Sequence, residues 1–131
     1  MQGLLIVDED LDCRRMMADI FIDAGYNVTA TNSLANALYG ILKKTAQVVL
    51  LGNRFDELTA ADIVPLLKQC NRRLSIILVA AETSLPLIRK LRKEGIFYHA
   101  LKPESLADSK EIHQAVECAF RTMEQTSSCQ K

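Results

Sequence analysis

The chain lacks tryptophan, an excess of charge of either sign and any long hydrophobic run. Lysine plus arginine number 16 among its 131 residues, as do aspartate plus glutamate, so the formal net charge is zero. A chain with zero net charge has no overall electrostatic attraction to nucleic acid or to an anionic membrane, although this does not exclude a local basic patch. Its apolar runs are only a few residues long, whereas a membrane-spanning helix needs about 20. We expect neither membrane association nor nucleic-acid binding by this domain.

The sequence also lacks pairs of cysteines at the spacing of a metal site or a redox motif. The four cysteines, Cys13, Cys70, Cys118 and Cys129, form no C-x-x-C motif, and the two histidines add no ligand cluster. The N-terminus has no basic segment ahead of a hydrophobic stretch, as a secretory signal would have. We therefore expect reduced thiols and a cytoplasmic location.

The chain has enough apolar residues for one folded domain. They make up 49% of the sequence and charged residues 24%, which is typical of globular proteins. A chain of this length buries about two-thirds of its unfolded surface, so it needs no metal or disulfide to form a core. We predict one domain over residues 1–124 and a polar tail or truncated linker over residues 125–131.

Short apolar runs rich in β-branched residues indicate buried strands at Leu4–Val7, Val48–Leu51 and Ile76–Val79. Asn27–Thr31 and Phe97–Leu101 are weaker runs of similar length and fit positions nearer the sheet edges. Continuous rather than alternating apolar character is typical of strands covered on both faces, as in a parallel sheet.

Segments with helical periodicity separate these strands. Apolar residues recur at helical spacing over Cys13–Ala24, and Gly25 follows as a left-handed stop. Ser33 and Thr59 are placed to cap the second and third helices, and Gly95 to end the fourth. The order is strand then helix, five times. We predict an α/β fold, a three-layer αβα sandwich with a five-stranded parallel sheet in order 2-1-3-4-5, as in flavodoxin-like proteins.

Three carboxylates, Asp8, Glu9 and Asp10, directly follow the first strand, at the end of the sheet where such folds bind ligands. Adjacent carboxylates at this place suit a hard cation or proton transfer. Alternatively, Asp10 caps the first helix and the other two carboxylates are merely solvated. The spacing alone leaves both interpretations open.

Three segments, Leu4–Asp10, Val48–Asp62 and Leu101–Pro103, together resemble the receiver domain of bacterial response regulators, the CheY-like fold. The resemblance covers about residues 3–123 with almost no gaps. In that family an Asp at the end of strand 3 accepts a phosphoryl group, and a Ser or Thr at the end of strand 4 turns toward the phosphate. An aromatic residue on strand 5 moves with that change.

The resemblance assigns roles to four residues that match the family pattern. Asp8 and Glu9 correspond to the acidic pair that binds Mg²⁺. Lys102 and Pro103 correspond to the Lys-Pro pair whose lysine contacts the phosphate. The domain would accordingly be a two-component or phosphorelay signalling module, and we do not expect it to be an enzyme.

Three positions depart from the family pattern. Gly52 stands where the phosphoacceptor Asp belongs, Ala80 where the Ser or Thr belongs, and His99 where the aromatic residue is usual. Glycine offers no carboxylate nucleophile and no metal ligand, and alanine has no hydroxyl. We therefore predict a degenerate pseudo-receiver that binds Mg²⁺ weakly if at all, uses no other cofactor and acts by phosphorylation-independent protein–protein interaction.

Two alternatives remain open. The domain would still be a working phosphorelay receiver if Asp56 or Glu57 accepted the phosphoryl group, although both lie several residues from the usual acceptor position. An unrelated flavodoxin-like cofactor binder is disfavoured, because no glycine-rich loop follows strand 1 and the acidic run there would repel a phosphate.

The acidic pair left without its third carboxylate needs a counter-charge, since adjacent carboxylates repel one another. We predict that Lys102, helped by Arg54, neutralises Asp8 and Glu9 in place of the metal.

A basic cluster on the fourth helix is the candidate partner surface. Arg89 and Lys93 belong to it, and His99 lies near it on strand 5. The resemblance implies that helix 4, strand 5 and helix 5 form a face for a signalling protein, a fused output or sensor domain, or a homodimer. The alternatives are a solvated charged face for the helix and a partly buried histidine for His99.

Overall fold

The computed structural model describes residues 3–52, 54–55, 58–80, 85–102 and 109–129. Within these ranges the strands are β1 (Gly3–Val7), β2 (Asn27–Thr31), β3 (Val48–Gly52), β4 (Arg54–Phe55), β5 (Leu58–Thr59), β6 (Ser75–Ala80) and β7 (Tyr98–Leu101). The helices are α1 (Leu11–Asp23), α2 (Leu34–Leu42), α3 (Ala60–Cys70), α4 (Leu85–Glu94) and α5 (Lys110–Cys129). The alternation of strands and helices is the one that the sequence periodicity predicts.

Five parallel strands form the main sheet, in the order β2-β1-β3-β6-β7. The short strands β4 and β5 pair antiparallel as a separate two-stranded sheet between β3 and α3. The prediction did not include this pair, so its strands 4 and 5 are β6 and β7 here. The parallel α/β sheet is confirmed, and the strand numbering changes.

Two hydrophobic layers cover the sheet, which explains the continuous apolar runs. Every residue of β1 and β3 is buried. One layer packs α2, α3 and α4 against the sheet, and the other packs α1 and α5 against the opposite face. Side chains on both faces of a central strand are therefore removed from water, so β-branched residues and leucine are favoured at every position of the strand.

Local signals in the sequence set the helix ends. The Ser33 hydroxyl accepts the N–H of Asn36 at 3.3 Å, and the Asp62 carboxylate accepts the N–H of Thr59 at 3.1 Å. Gly25 and Gly95 follow α1 and α4 with φ of 95° and 101°. This left-handed conformation is accessible to glycine at little cost.

The last helix is longer than predicted. The sequence suggested a polar tail from residue 125, but α5 continues to Cys129. The segment 125–129 is polar yet contains no glycine or proline, so nothing in it stops the helix. No helix in the described part of the chain is both long and apolar enough to cross a membrane.

Gly3 and Gly40 both lie near Thr45 and provide a matched pair for testing how closely the chain packs there. A Cβ on Gly3 would overlap the carbonyl oxygen of Thr45, whereas a Cβ on Gly40 would make an ordinary contact with the Thr45 hydroxyl at 3.6 Å. We predict that Gly3→Ala lowers the free energy of unfolding by about 1–3 kcal/mol. Gly40→Ala should raise it by about 0.5–1 kcal/mol, because glycine is a poor helix residue. Urea denaturation measures both, and equal effects would contradict the packing described.

Candidate functional site

Four of the predicted site positions meet at one end of the sheet. Asp8 follows β1, Gly52 ends β3, Ala80 ends β6 and Lys102 follows β7. Because the strands are parallel and in register, their carboxyl ends share one edge. The backbone N–H of Lys102 donates to the carbonyl of Ala80 at 3.2 Å, which fixes the start of that loop.

Other predicted positions lie outside the described structure. These are Pro103, Asp56 and Glu57, together with the side chain of Arg54.

The carboxylate of Asp8 packs directly against Gly52. The residue is 6% exposed, and its Oδ1 accepts the N–H of Asp10 at 2.9 Å. A Cβ placed on Gly52 would lie 3.1 Å from both Cγ and Oδ1 of Asp8. Asp8 therefore lies in the space into which a side chain at position 52 would project. Arg14 fixes the same turn, since its Nη1 donates to the Asp8 carbonyl at 2.8 Å.

Lys102 forms its ion pair with Asp10. The distance from Lys102 Nζ to Asp10 Oδ2 is 2.7 Å. The other oxygen of Asp10 accepts the N–H groups of Asp12 and Cys13 at 3.0 and 3.2 Å, so Asp10 is the N-cap of α1. The capping role of Asp10 is confirmed, and this carboxylate also binds the lysine. Asp8 is buried, so the interpretation that it is merely solvated is wrong.

Of the predicted partners of Lys102, Asp8 acts on the lysine through its charge, whereas the hydrogen-bonded ion pair is made with Asp10. The predicted parts of Glu9 and Arg54 stay predictions. Asp8 turns toward Gly52 and bonds to its own loop, while the capping geometry leaves the second oxygen of Asp10 available to Lys102. Sequence reasoning identified Asp10 only as a cap. The missed signal is that a capping carboxylate uses one oxygen and can bind a cation with the other.

The pKa shifts follow this geometry. The hydrogen bond from Lys102 lowers the pKa of Asp10, and the N–H of Cys13 lowers it further. The same bond raises the pKa of Lys102, with the charge of Asp8 adding to it. Burial raises the pKa of the Cys13 thiol to about 12, and the nearby negative charge of Asp8 contributes. Cys13 is thus an uncharged core residue at neutral pH.

Ala80 and His99 stand at the positions expected for the conformational switch. Ala80 is 2% exposed and packs with the layer that contains α2, α3 and α4. Its methyl group supplies no hydrogen-bond donor. Ala100 packs toward α1 and α5, so the alternation of side chains along β7 directs the half-buried His99 to the α4 side.

The residues present fit a magnesium ion poorly. Mg²⁺ prefers octahedral oxygen coordination and gives up water reluctantly. Among the described residues, no group of three or more His, Cys, Asp or Glu is arranged to hold a metal. The Lys102 ammonium already neutralises Asp10, and Asp8 Oδ1 accepts a backbone N–H. The weak binding that the sequence suggested for Asp8 and Glu9 stays a prediction.

The candidate partner surface combines basic and apolar groups. Arg89 and Lys93 are exposed on α4, as are Leu85 at its first turn and Leu101 on β7. The carboxylate of Glu111 on α5 accepts the N–H of Leu101 at 2.8 Å and links the two elements. Two of the three elements of the predicted face, β7 and α5, therefore adjoin one another, and α4 directly precedes β7 in the chain.

Similarity to known proteins agrees with this architecture. Residues 4–117 match the response regulator receiver domain family, so the chain belongs to that family. It is 25% identical over 115 residues to sporulation initiation phosphotransferase F of Bacillus subtilis (strain 168), which covers 88% of this chain and 90% of that protein.

Two solved structures show the same fold. A CheY-like receiver domain protein from Methanospirillum hungatei JF-1 has a TM-score of 0.86 at 16% identity, with 96% of this chain and 98% of that chain covered. The beryllofluoride-activated NtrC4 receiver domain dimer has a TM-score of 0.83 at 19% identity, with 94% and 99% covered. The chain is a receiver domain of two-component signalling.

Replacing Asp10 in two ways separates its two roles. Asn caps a helix about as well as Asp, so Asp10→Asn removes mainly the ion pair and should cost about 0.2–1 kcal/mol, since both partners are partly exposed. Asp10→Ala also removes the cap and should cost about 1 kcal/mol more. Chemical denaturation at neutral pH measures both. Equal stability of the two variants would contradict the capping geometry.

The same pair has a defined pH window. The lowered pKa of Asp10 means that its contribution is lost as pH falls through that pKa, below the ordinary value of 3.8. The raised pKa of Lys102 means that its contribution is lost as pH rises above the ordinary value of 10.5. The stability difference between the wild type and Asp10→Asn should therefore vanish at both extremes.

Proposed function

We propose that this receiver domain signals by protein–protein interaction without aspartyl phosphorylation. The observation that carries the proposal is the contact between the Asp8 carboxylate and Gly52 at the end of β3. Phosphoryl transfer to this crevice needs a carboxylate nucleophile, and glycine has none. The Asp8 carboxylate, which follows β1, lies 3.1 Å from the place where the Cβ of such a nucleophile would stand.

The rest of the crevice supports the same proposal. Ala80 has no hydroxyl with which to contact a phosphate. Lys102 is already paired with Asp10 at 2.7 Å, so it would have to exchange one anion for another. The pair is partly exposed and worth about 1 kcal/mol or less, so this exchange is a small barrier compared with the missing nucleophile.

The partner surface is the face of α4, β7 and α5. The exposed Arg89 and Lys93 on α4 and the exposed Leu101 on β7 together suit an acidic partner that also carries apolar residues. The occupant would be a cytoplasmic signalling protein or an output or sensor domain on the same chain. Because the domain has neither an acceptor carboxylate nor a switch hydroxyl, phosphorylation does not move His99 across β7. The face of α4, β7 and α5 therefore keeps one conformation.

A second candidate function is a phosphorelay receiver with a non-standard acidic acceptor. The similarity to a protein named a phosphotransferase favours it. Asp56 and Glu57, which follow β3 in sequence, are the candidate acceptors. This alternative requires an aligned attack from outside the usual acceptor position.

Incubation with acetyl phosphate and Mg²⁺ distinguishes the two functions. We predict no covalent phosphoryl adduct by intact-protein mass spectrometry, and no global change in the NMR spectrum when beryllofluoride is added with Mg²⁺. A stable acyl phosphate on any carboxylate of the crevice would contradict the proposal. If one forms, Asp56→Asn and Glu57→Gln identify the acceptor.

Restoring the missing groups tests the same idea constructively. We predict that Gly52→Asp with Ala80→Thr regains acetyl phosphate labelling, provided that Asp8 moves by a few tenths of an ångström to admit the new Cβ. Gly52→Ala with Ala80→Thr is the matched control, because it displaces Asp8 in the same way without adding a nucleophile. Labelling of the control, or none of the folded Asp variant, would contradict the assignment of Gly52 to the acceptor position.

A further inference from the structure

A cleft opens between the second half of α3 and the end of α4. Its volume is about 370 Å³, and it is lined by Pro65, Lys68, Gln69, Arg72 and Glu94. The turn that follows α3 leads into the start of β6, whereas the crevice lies at the other end of that strand. Ligand sites in proteins usually measure about 300–1,000 Å³, so the cleft has room for a small metabolite.

Contacts with two parts of the chain fix the ammonium of Lys68 at this cleft. Its Nζ donates to the carbonyl of Leu74 at 2.7 Å and to that of Arg72 at 3.4 Å. Its stem packs against the residue after α4, since a Cβ on Gly95 would lie 3.2 Å from Lys68 Cε. The ammonium is therefore held in place before a ligand arrives, which reduces the entropic cost of binding.

The turn after α3 holds Arg72 beside this lysine. The N–H of Leu74 donates to the carbonyl of Asn71 at 3.2 Å, and the N–H of Arg73 donates to the side-chain oxygen of Asn71 at 3.0 Å. The backbone of Arg72 thus belongs to a hydrogen-bonded turn, while its side chain is exposed along the cleft. Two cationic side chains, those of Lys68 and Arg72, therefore line the same space.

The positive charge of these two side chains is not neutralised. Among the described residues, neither Lys68 nor Arg72 forms an ion pair with a carboxylate, and this includes Glu94 in the same cleft. Burial lowers the pKa of Lys68, because an ammonium that loses water without gaining a counter-charge is destabilised. An anion in the cleft would supply the missing counter-charge.

We propose that this cleft binds a small phosphate monoester that also carries hydroxyl groups, as a sugar phosphate does. The phosphate lies between Lys68 and Arg72, and a guanidinium matches the geometry of phosphate oxygens. Two cations suit a phosphate monoester, whose charge is about −1.5 to −2 at pH 7, better than they suit a single carboxylate.

The other polar groups of the cleft select the rest of the ligand. The carboxylate of Glu94 only accepts hydrogen bonds and repels a bare anion, so it favours a ligand that brings hydroxyl donors. Gln69 offers both a donor and an acceptor to the same hydroxyl groups. The site uses neither Gly52 nor Lys102, so the proposal does not depend on the proposed function.

Titration of the isotope-labelled wild type with glucose 6-phosphate, followed by NMR in a phosphate-free buffer of low ionic strength, tests the site. We expect saturable shifts of the amides from Lys68 to Leu74 and of Glu94 and Gly95, with a dissociation constant in the millimolar range or tighter. Glucose should cause no saturable shift, and gluconate should bind more weakly than glucose 6-phosphate.

Substitutions at the cleft separate specific binding from general attraction of anions. Arg72→Gln should raise the dissociation constant for glucose 6-phosphate at least about tenfold, since it removes a charged hydrogen-bond donor. Arg15→Gln is the matched control, because Arg15 is exposed on α1, which packs on the opposite face of the sheet. It should leave the dissociation constant unchanged.

Glu94→Gln tests the contact with the hydroxyl groups. It removes a negative charge, so inorganic phosphate should bind more tightly to this variant than to the wild type. The preference for glucose 6-phosphate over inorganic phosphate should fall, because the amide is a weaker acceptor for hydroxyl donors.

Four results would overturn the proposal. Shifts that never saturate, or equal effects of Arg72→Gln and Arg15→Gln, would show only non-specific attraction. Gluconate that binds as tightly as glucose 6-phosphate would exclude a phosphate site. Shifts confined to the amides of Asp8 and Asp10 would place the phosphate in the crevice instead.

Discussion

The carboxylate of Asp8 is held at the end of β1, buried beside the backbone of Gly52 and bonded to the N–H of Asp10. A buried carboxylate is costly unless polar groups satisfy it. Here the turn after β1 does so, and that turn places Asp10 as the cap of α1 with one oxygen directed to Lys102. One hydrogen-bonded turn thus sets three features: the ion pair of Lys102, the cap of α1 and the position of Asp8 beside Gly52. No buried side-chain nitrogen or oxygen in the described structure lacks a partner.

The fold does not depend on the residues of the crevice, because its stability comes from elsewhere. The strands β1, β3 and β6 are held by two apolar layers, and the crevice residues contribute little to either. Function in this fold resides in the loops at the strand ends, so the loops can lose their chemistry while the layers stay intact. A glycine at position 52 and an alanine at position 80 are therefore compatible with an intact receiver fold.

Much of the fold could be predicted from the sequence, because periodicity and capping are local properties. The continuous apolar runs identified the central strands, and Ser33 and Gly95 marked helix ends as the structure has them. The partner of Lys102 could not be predicted, since it depends on which way two adjacent carboxylates turn. The sequence marks Asp10 as a cap, but it does not show that the second oxygen of Asp10 is directed to Lys102 while Asp8 turns toward Gly52. The β4–β5 pair was missed because two-residue strands have no period to detect.

The β7 edge of the sheet is closed by a side chain of α5. At β7, Lys102 bonds to Ala80, so the preceding Leu101 directs its N–H away from β6, where the Glu111 carboxylate accepts it. The neighbouring α4 is strongly basic on its exposed side. A copy approaching that edge would meet like charges, whereas an acidic partner would be attracted.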